Sequence, residues 1–428
     1  MMTKKILAAS VIAAAAFLPA ACSSGSSGGS SGLITINVVS NFTPDIARGQ
    51  VLDQLMSQFN AEHKGKIKVV SQTSADWPSL QQKIRTEISV GTPPDVFLYN
   101  YNPSDLSREK SGKLMNWAPY LNADPSWKAR FPAQDLKDVT VDGGQIVAIP
   151  SDQAPVLIYY RKDLFAKAGI SSFPVTWTQF LADAQKLKSH GISAIALQTA
   201  DDGWYAMNAL SYLTISAGGP SAYHATTLNT APLVQGATML KKLFSYAPKD
   251  AEGANYAVAS ADFLDGRTAM VMDGPWLISS IQSQVRNPCD VGVATAPTNG
   301  NGIEQPGTIV TDSLNFWGAA KPSSPADARA VVAWMKFLTS DTSATEMGIQ
   351  GQYPLVVQST SSPAQLAKAS CQMKQVFQIY VHASTRIVNM ERYITTAAQA
   401  QVPSLLQGLI LGQISPQQFT SQLQNLNK

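Results

Sequence analysis

From Ile34 onward, short apolar runs alternate with stretches whose apolar residues recur every three or four positions. Ile34 to Val39 is β-rich and predicts a strand. Val51, Leu55 and Phe59, with Leu52 and Met56 beside them, form the stripe of a first helix. Ile67 to Val70 predicts a second strand, and Leu80, Ile84 and Ile88 mark a second helix. Pro93-Pro94 breaks the chain before a third strand, Val96 to Tyr99. Strand, helix, strand, helix, strand implies an α/β fold with a parallel sheet covered on both faces. Open sheets of this kind bind ligands at the carboxyl ends of their strands. That rule places Asn41, Phe42, Asp76, Trp77, Asn100 and Tyr101 at or near the binding edge.

A second α/β set comes after Ile149-Pro150. Val156 to Tyr160, Ile192 to Leu197 and Thr268 to Asp273 read as strands, the last stopped by Gly274-Pro275. Thr176 has the signature of a helix N-cap, with Gln179 completing a capping box and Val175 set against Phe180 as a hydrophobic staple. Trp177 is therefore assigned to helix-start packing, and Trp117, Trp127 and Trp334 also read as packing. The chain shows no internal repeat.

The N-terminus changes the picture. Lys4 and Lys5 precede an apolar run from Ile6 to Leu18, then Pro19-Ala20-Ala21-Cys22. A positive start, a short apolar core and small residues describe a secretory signal peptide, and the run falls short of the roughly 20 residues that span a bilayer. Cys22 directly after small residues resembles a bacterial lipobox, in which the cysteine is acylated, although Pro19 stands where that motif usually has Leu. Ser23 to Gly32, all Ser and Gly, reads as a flexible tether. Its Gly25-Ser26-Ser27-Gly28-Gly29 matches the nucleophile-elbow pattern without the strand and helix that pattern needs. About 400 residues remain, too many for one core, so two domains are expected. The formal net charge of +3 falls by two when Lys4 and Lys5 leave, and only 14% of residues are charged, which gives no electrostatic footprint for nucleic acid. Cys289 and Cys371 form one disulfide in an oxidising exterior or stay as two buried thiols; spacing alone leaves both open. The histidines at 63, 190, 224 and 382 lack zinc-site spacing, so no metal or cofactor is expected.

Several ordered motifs carry a family resemblance. They are Phe59-Asn60-Ala61-Glu62-His63, Gly91-Thr92-Pro93-Pro94-Asp95-Val96, Ile149-Pro150-Ser151-Asp152 and Tyr159-Tyr160-Arg161-Lys162-Asp163-Leu164-Phe165. Further along stand Pro174-Val175-Thr176-Trp177, Phe263-Leu264-Asp265-Gly266-Arg267-Thr268-Ala269-Met270 and Asp273-Gly274-Pro275-Trp276. Together they make residues 33–428 resemble the extracellular solute-binding proteins of ABC importers, in the sugar-binding family that includes maltose-binding protein. The resemblance implies a type II periplasmic-binding-protein-like fold of two lobes joined by a hinge, with the ligand in the cleft between them. It divides the chain into a signal peptide (1–21), a tether (22–32), lobe one (33–151 and 305–345) and lobe two (152–304 and 346–428). The chain is expected to return to lobe one near Gly307 and to cross again near 345–350. The implied partners are a sugar or oligosaccharide, the permease subunits of an importer and, through the lipid anchor, the outer face of the cytoplasmic membrane; the protein is expected to be a monomer.

A sugar offers hydroxyls to donors and acceptors and C–H faces to aromatic rings. By resemblance, Tyr99, Asn100 and Tyr101 follow the third strand as ligand contacts, and Asp152 and Gln153 follow the first hinge crossing. Trp204 and Tyr205 occupy a loop where maltose-type proteins stack a sugar ring, and Trp276, with Asp273, holds the recurrent stacking position. Asp312 and Asn315 complete the set with Asn41, Phe42, Asp76 and Trp77. Arg386, Asn389 and Glu391 stand outside it, and Asp201-Asp202 reads as a solvated loop. With no basic cluster near these candidates, a neutral sugar is favoured over a glycerophosphodiester or peptide. A secreted glycosidase, which needs two carboxylates about 5–10 Å apart, is the rival class.

Overall fold

In a computed structural model the described residues are 32–101, 112–141, 143–152, 154–200, 203–222, 227–312, 315–353 and 363–428. The strands in chain order are β1 (Ile34–Ser40), β2 (Ile67–Thr73), β3 (Val96–Tyr99), β4 (Thr140–Val141), β5 (Gln145–Ile146), β6 (Ala148–Pro150) and β7 (Ala154–Arg161). Then come β8 (Ser193–Ala196), β9 (Thr268–Asp273), β10 (Val291–Ala294), β11 (Thr308–Asp312), β12 (Phe316–Ala319) and β13 (Thr385–Ile387). Two lobes form around two sheets. The first has the order β2-β1-β3-β12-β6, and the second β13-β11-β7-β9-β8 with β10 beside β7. β1 is parallel to β2 and β3, while β12 runs antiparallel between β3 and β6.

The first helix, Ala47–Glu62, buries Val51, Leu52, Leu55, Met56 and Phe59, the stripe read from the sequence. The second, Trp77–Val90, buries Leu80, Ile84 and Ile88. It begins at Asp76, whose carboxylate accepts from the Ser79 backbone N–H at 3.1 Å and the Ser79 hydroxyl at 2.7 Å. It stops at Gly91, whose φ of 85° disfavours any side chain. The helices Pro325–Leu338 and Asp341–Ile349 cover the same lobe and bury Trp334 and Met347 in its core. Trp117 and Trp127 are buried there too. Each fully buried Leu, Ile or Phe in this core stabilises by roughly 1.5–3 kcal/mol over exposure.

The second lobe has a core on each face of its sheet. Val156 and Ile158 of β7 point into one, Leu157 and Tyr159 into the other, which explains the unbroken apolar run of that strand. Thr176 and Gln179 form the capping box, and Trp177 is buried with its indole N–H donating to the Ser216 hydroxyl at 3.0 Å. The staple does not form as expected: Phe180 is buried, but Val175 is 69% exposed. Cys289 and Cys371 are joined in a disulfide with a Cα separation of 5.5 Å, tying the turn before β10 to the helix Cys371–Val381. Closing a loop of 82 residues contributes on the order of 4 kcal/mol in the chain-entropy account.

The return to the first lobe lies later than Gly307. β11 pairs with β7 and β13, so Ile309 and Val310 belong to the second lobe's cores, and the first sheet resumes at Phe316. Met347 and Tyr353 pack in the first core while Ile349 packs in the second, so the next crossing runs along the lobe boundary.

Candidate ligand-binding cleft

A cavity of about 480 Å³ opens between the lobes. From the first lobe Asn41, Arg48, Trp77, Gln81, Arg85 and Asn100 line it, with Asn315 and Tyr353 at the crossings. Trp204, Tyr205, Tyr256 and Trp276 line it from the second lobe, and Asn389, Glu391, Arg392 and Gln399 from the C-terminal segment. Chain geometry explains much of this set. Trp77, Trp204 and Tyr256 are each the first residue of a helix, and Trp276 caps another. Helix starts sit where chain leaves the sheet, so their side chains reach the rim of the strands.

The second-lobe wall is a continuous aromatic cluster. The Tyr205 and Tyr256 rings stack at 4.9 Å and 17°. Trp204 meets Tyr205 edge-on at 4.9 Å and tilts against Trp276 at 5.4 Å. Pro275 ends β9, and Gly274 lets the Trp276 ring fold back over the chain: a Cβ on Gly274 would lie 2.3 Å from that ring. Behind the cluster, Asp273 is fully buried. It accepts from the Gly274 N–H at 2.7 Å, from the Tyr256 hydroxyl at 3.2 Å and from the Trp276 side chain. Burial pushes its carboxyl up to about 7, against the pull of these donors.

The opposite wall is polar. The Arg48 guanidinium lies 5.3 Å from the Phe42 ring centre and 5.6 Å from that of Tyr353. Its Nε is buried with no hydrogen-bond partner among the described residues, and burial lowers its pKa against the opposing field of Asp152. Asn315 Nδ2 donates to the Tyr353 hydroxyl at 3.2 Å and to Asp152 at 3.4 Å. The Asn100 backbone is fixed by Gln81, whose side-chain oxygen accepts from the Asn100 N–H at 2.8 Å. Arg392 crosses from the second lobe to the first: it donates to the Tyr101 carbonyl at 2.7 Å and lies 3.7 Å from Asp138.

Of the residues expected in the site, Asn41, Trp77, Asn100, Trp204, Tyr205, Trp276 and Asn315 come together on the cavity. Others stand behind its wall. Phe42 is 1% exposed and packs edge-on against Trp317 and Tyr353. Tyr99 is buried because β3 is covered on both faces, and it accepts from Arg85 at 3.1 Å; Tyr101, two residues beyond the strand, is buried edge-on against Tyr99 and Phe316. Asp76 caps the second helix and is not part of the cavity lining. Asp152 and Asp273 are buried and support Tyr353 and Tyr256. Asp312 ends β11 in the second sheet, opposite Ala154. Gln153, Cys22 and Asp201-Asp202 lie outside the described residues. Sequence reasoning missed Arg48, Gln81, Arg85, Tyr256, Tyr353, Arg392 and Gln399, and set Asn389 and Glu391 aside. Tyr256 carried a signal: it comes directly after Asn255, whose side chain caps the helix at 3.0 Å, the same placement as Trp77 after Asp76.

Residues 43–345 match the bacterial extracellular solute-binding proteins. The chain belongs to that family. A binding protein of Brucella abortus is 27% identical over 296 residues, which cover 64% of this chain and 66% of the relative. The maltodextrin-binding protein MdxE of Bacillus subtilis is 24% identical over 316 residues, 70% of this chain and 68% of its own. Among solved structures, a chitin oligosaccharide binding protein superposes with a TM-score of 0.79 at 22% identity, covering 93% of this chain and 98% of its own. That likeness identifies the two-lobed type II fold of these solute-binding proteins. Among the described residues, no helix is long and apolar enough to cross a membrane.

Proposed function

We propose that this solute-binding protein captures a sugar or short oligosaccharide in the interlobe cavity and delivers it to the permease of an ABC importer. The observation that carries this reading is the opposition of two walls: four aromatic rings on one side, and amide and guanidinium donors on the other. A pyranose ring has the matching shape, with apolar C–H faces and a rim of hydroxyls. Ring burial of half an aromatic side chain contributes roughly 2–3 kcal/mol, and each neutral hydrogen bond a net ~0.5–1.5 kcal/mol. The maltodextrin and chitin oligosaccharide named for two similar proteins are ligands of this class.

Binding without turnover fits the lining. Glu391 is the one carboxylate among the described residues that line the cavity, whereas glycoside hydrolysis uses a pair. Export, acylation at Cys22 and the Ser/Gly tether would hold a monomeric binding lobe pair beside its permease. Maltotriose, diacetylchitobiose and xylotriose form a first panel for thermal shift and product analysis. A sugar at 100 times its dissociation constant stabilises by about 2.7 kcal/mol and returns intact. Absence of any shift across a wider glycan library, or cleavage of the sugar, overturns the reading. Cys22→Ala is expected to release the protein from membranes, and membrane retention of that variant would remove the anchor.

A further inference from the structure

We infer that Asp273 is a positioning residue for the aromatic wall: its carboxylate holds Tyr256 and Trp276 in their cavity-facing poses, and protonating it releases that hold and weakens ligand binding. The inference rests on the proposed cleft function but adds a role that the lining residues do not reveal, because Asp273 is fully buried behind the wall. Three donors converge on this one side chain. The Gly274 N–H and the Tyr256 hydroxyl reach it at 2.7 and 3.2 Å, and the Trp276 side chain donates as well. A carboxylate accepts all three; a carboxylic acid carries a proton of its own and gives up acceptor capacity. The two side-chain donors are the two ends of the aromatic cluster, linked through Tyr205 and Trp204. Gly274 leaves the space into which the Trp276 ring folds, since a Cβ there would lie 2.3 Å from it, and so brings the indole back over the strand end that carries Asp273.

The charged and titratable groups facing Asp273 are few. Arg48 comes from the helix Ala47–Glu62 of the other lobe, Tyr256 from the helix Tyr256–Leu264, and Tyr159 from β7. Both tyrosines are held well above their ordinary range by burial, and a guanidinium keeps its proton in proteins, so around pH 7 Asp273 is the member of this group that changes state.

The first test needs no ligand. Near-ultraviolet circular dichroism of the wild-type protein should titrate with a midpoint near pH 7. Asp273→Asn should remove the part of that titration not owed to Glu304, which is also pushed up to about 7 and bonds the Ser216 hydroxyl beside the Trp177 indole; Trp276→Phe should remove the indole component of the Asp273 part, and Tyr256→Phe should move its midpoint up by deleting a donor to the carboxylate. Affinity for whichever panel sugar binds should fall about tenfold from pH 8 to pH 6, the most one proton site titrating near 7 can give, and should stay flat in Asp273→Asn. If Asp273→Asn does not fold, the Tyr256→Phe midpoint carries the test alone. A dichroism signal that does not titrate, or that titrates unchanged in the folded variants, overturns the inference while leaving sugar binding intact. Failure of every sugar to bind overturns the cleft reading, a different result.

Discussion

On the first lobe the residues facing the cavity are Asn41, Arg48, Gln81, Arg85 and Asn100, with Trp77 and Tyr353 as aromatic exceptions; on the second they are Trp204, Tyr205, Tyr256 and Trp276, with Asn389, Glu391, Arg392 and Gln399 of its C-terminal segment as polar exceptions. Both walls use residues at the starts of helices, so the difference lies in side-chain chemistry rather than in backbone architecture. The aromatic wall supplies area and is tolerant of which ring lies on it. The polar wall supplies directed donors, and a ligand that leaves them unpaired loses more than it gains by stacking. Affinity is thereby weighted to the second lobe's aromatic cluster and discrimination to the first lobe's donors together with the C-terminal segment, and only a closed cleft applies both. Hinge closure around ligand is the general motion of binding proteins of this architecture.

The assignment can be broken by mutation. Trp276→Ala should show the largest effect on binding, about 2–3 kcal/mol or 30–150-fold in dissociation constant on the area argument, with ligand-free stability falling by about 1–3 kcal/mol because the buried Asp273 carboxylate loses a donor. The control is Trp177, also first in its helix but buried: its replacement by Ala should cost about 3–5 kcal/mol of stability and leave calorimetric affinity intact. Arg48→Gln should weaken binding about tenfold, a modest value for a hydrogen bond to a charged group, and should flatten preference among sugar epimers. Its melting temperature should hold or rise, since a desolvated charge is removed. The smallest change belongs to Asp76→Ala, which deletes a helix cap for about 1 kcal/mol of stability. Any loss of affinity beyond about twofold in that variant, more than a cap deletion of this size explains, would mean Asp76 serves the cleft after all.

The same contrast explains what the sequence disclosed. Periodicity located both α/β sets, and the strand-end rule brought Asn41, Trp77 and Asn100 to the cavity. It failed at Tyr99 because a strand covered on both faces hides its last side chain as readily as its middle ones, and at Phe42 and Tyr101, two residues beyond β1 and β3, because their rings pack on Trp317, Tyr353 and Phe316. Arg48 has no periodic signature: one arginine in the first turn of a helix reads as solvated until the opposite lobe closes over it. Tyr353, Asn389 and Arg392 reach the cavity from chain crossings and a C-terminal segment roughly 300 residues from the first strand, a proximity that local pattern does not encode. Asp152 and Asp273, expected as ligand contacts, lie buried behind the cavity wall and bond Tyr353 and Tyr256, because a buried carboxylate is better satisfied by fixed protein donors than by exchangeable ones.

The insertion of β12 between β3 and β6 bears on how the molecule is made. While the chain grows from its N-terminus, β3 keeps an open edge until Phe316–Ala319 has been synthesised, roughly 200 residues later. At ordinary elongation rates of about 5–20 residues per second that edge stays unpaired for on the order of ten seconds or more, and an unpaired edge invites association with neighbouring chains. A truncated gene product ending at Pro150 would carry the same vacancy permanently, with β3 and β6 left without the strand that joins them. Dissecting this protein into lobes therefore requires stitching the segment that begins at Phe316 back onto the first one, since no cut at a single point yields a closed sheet.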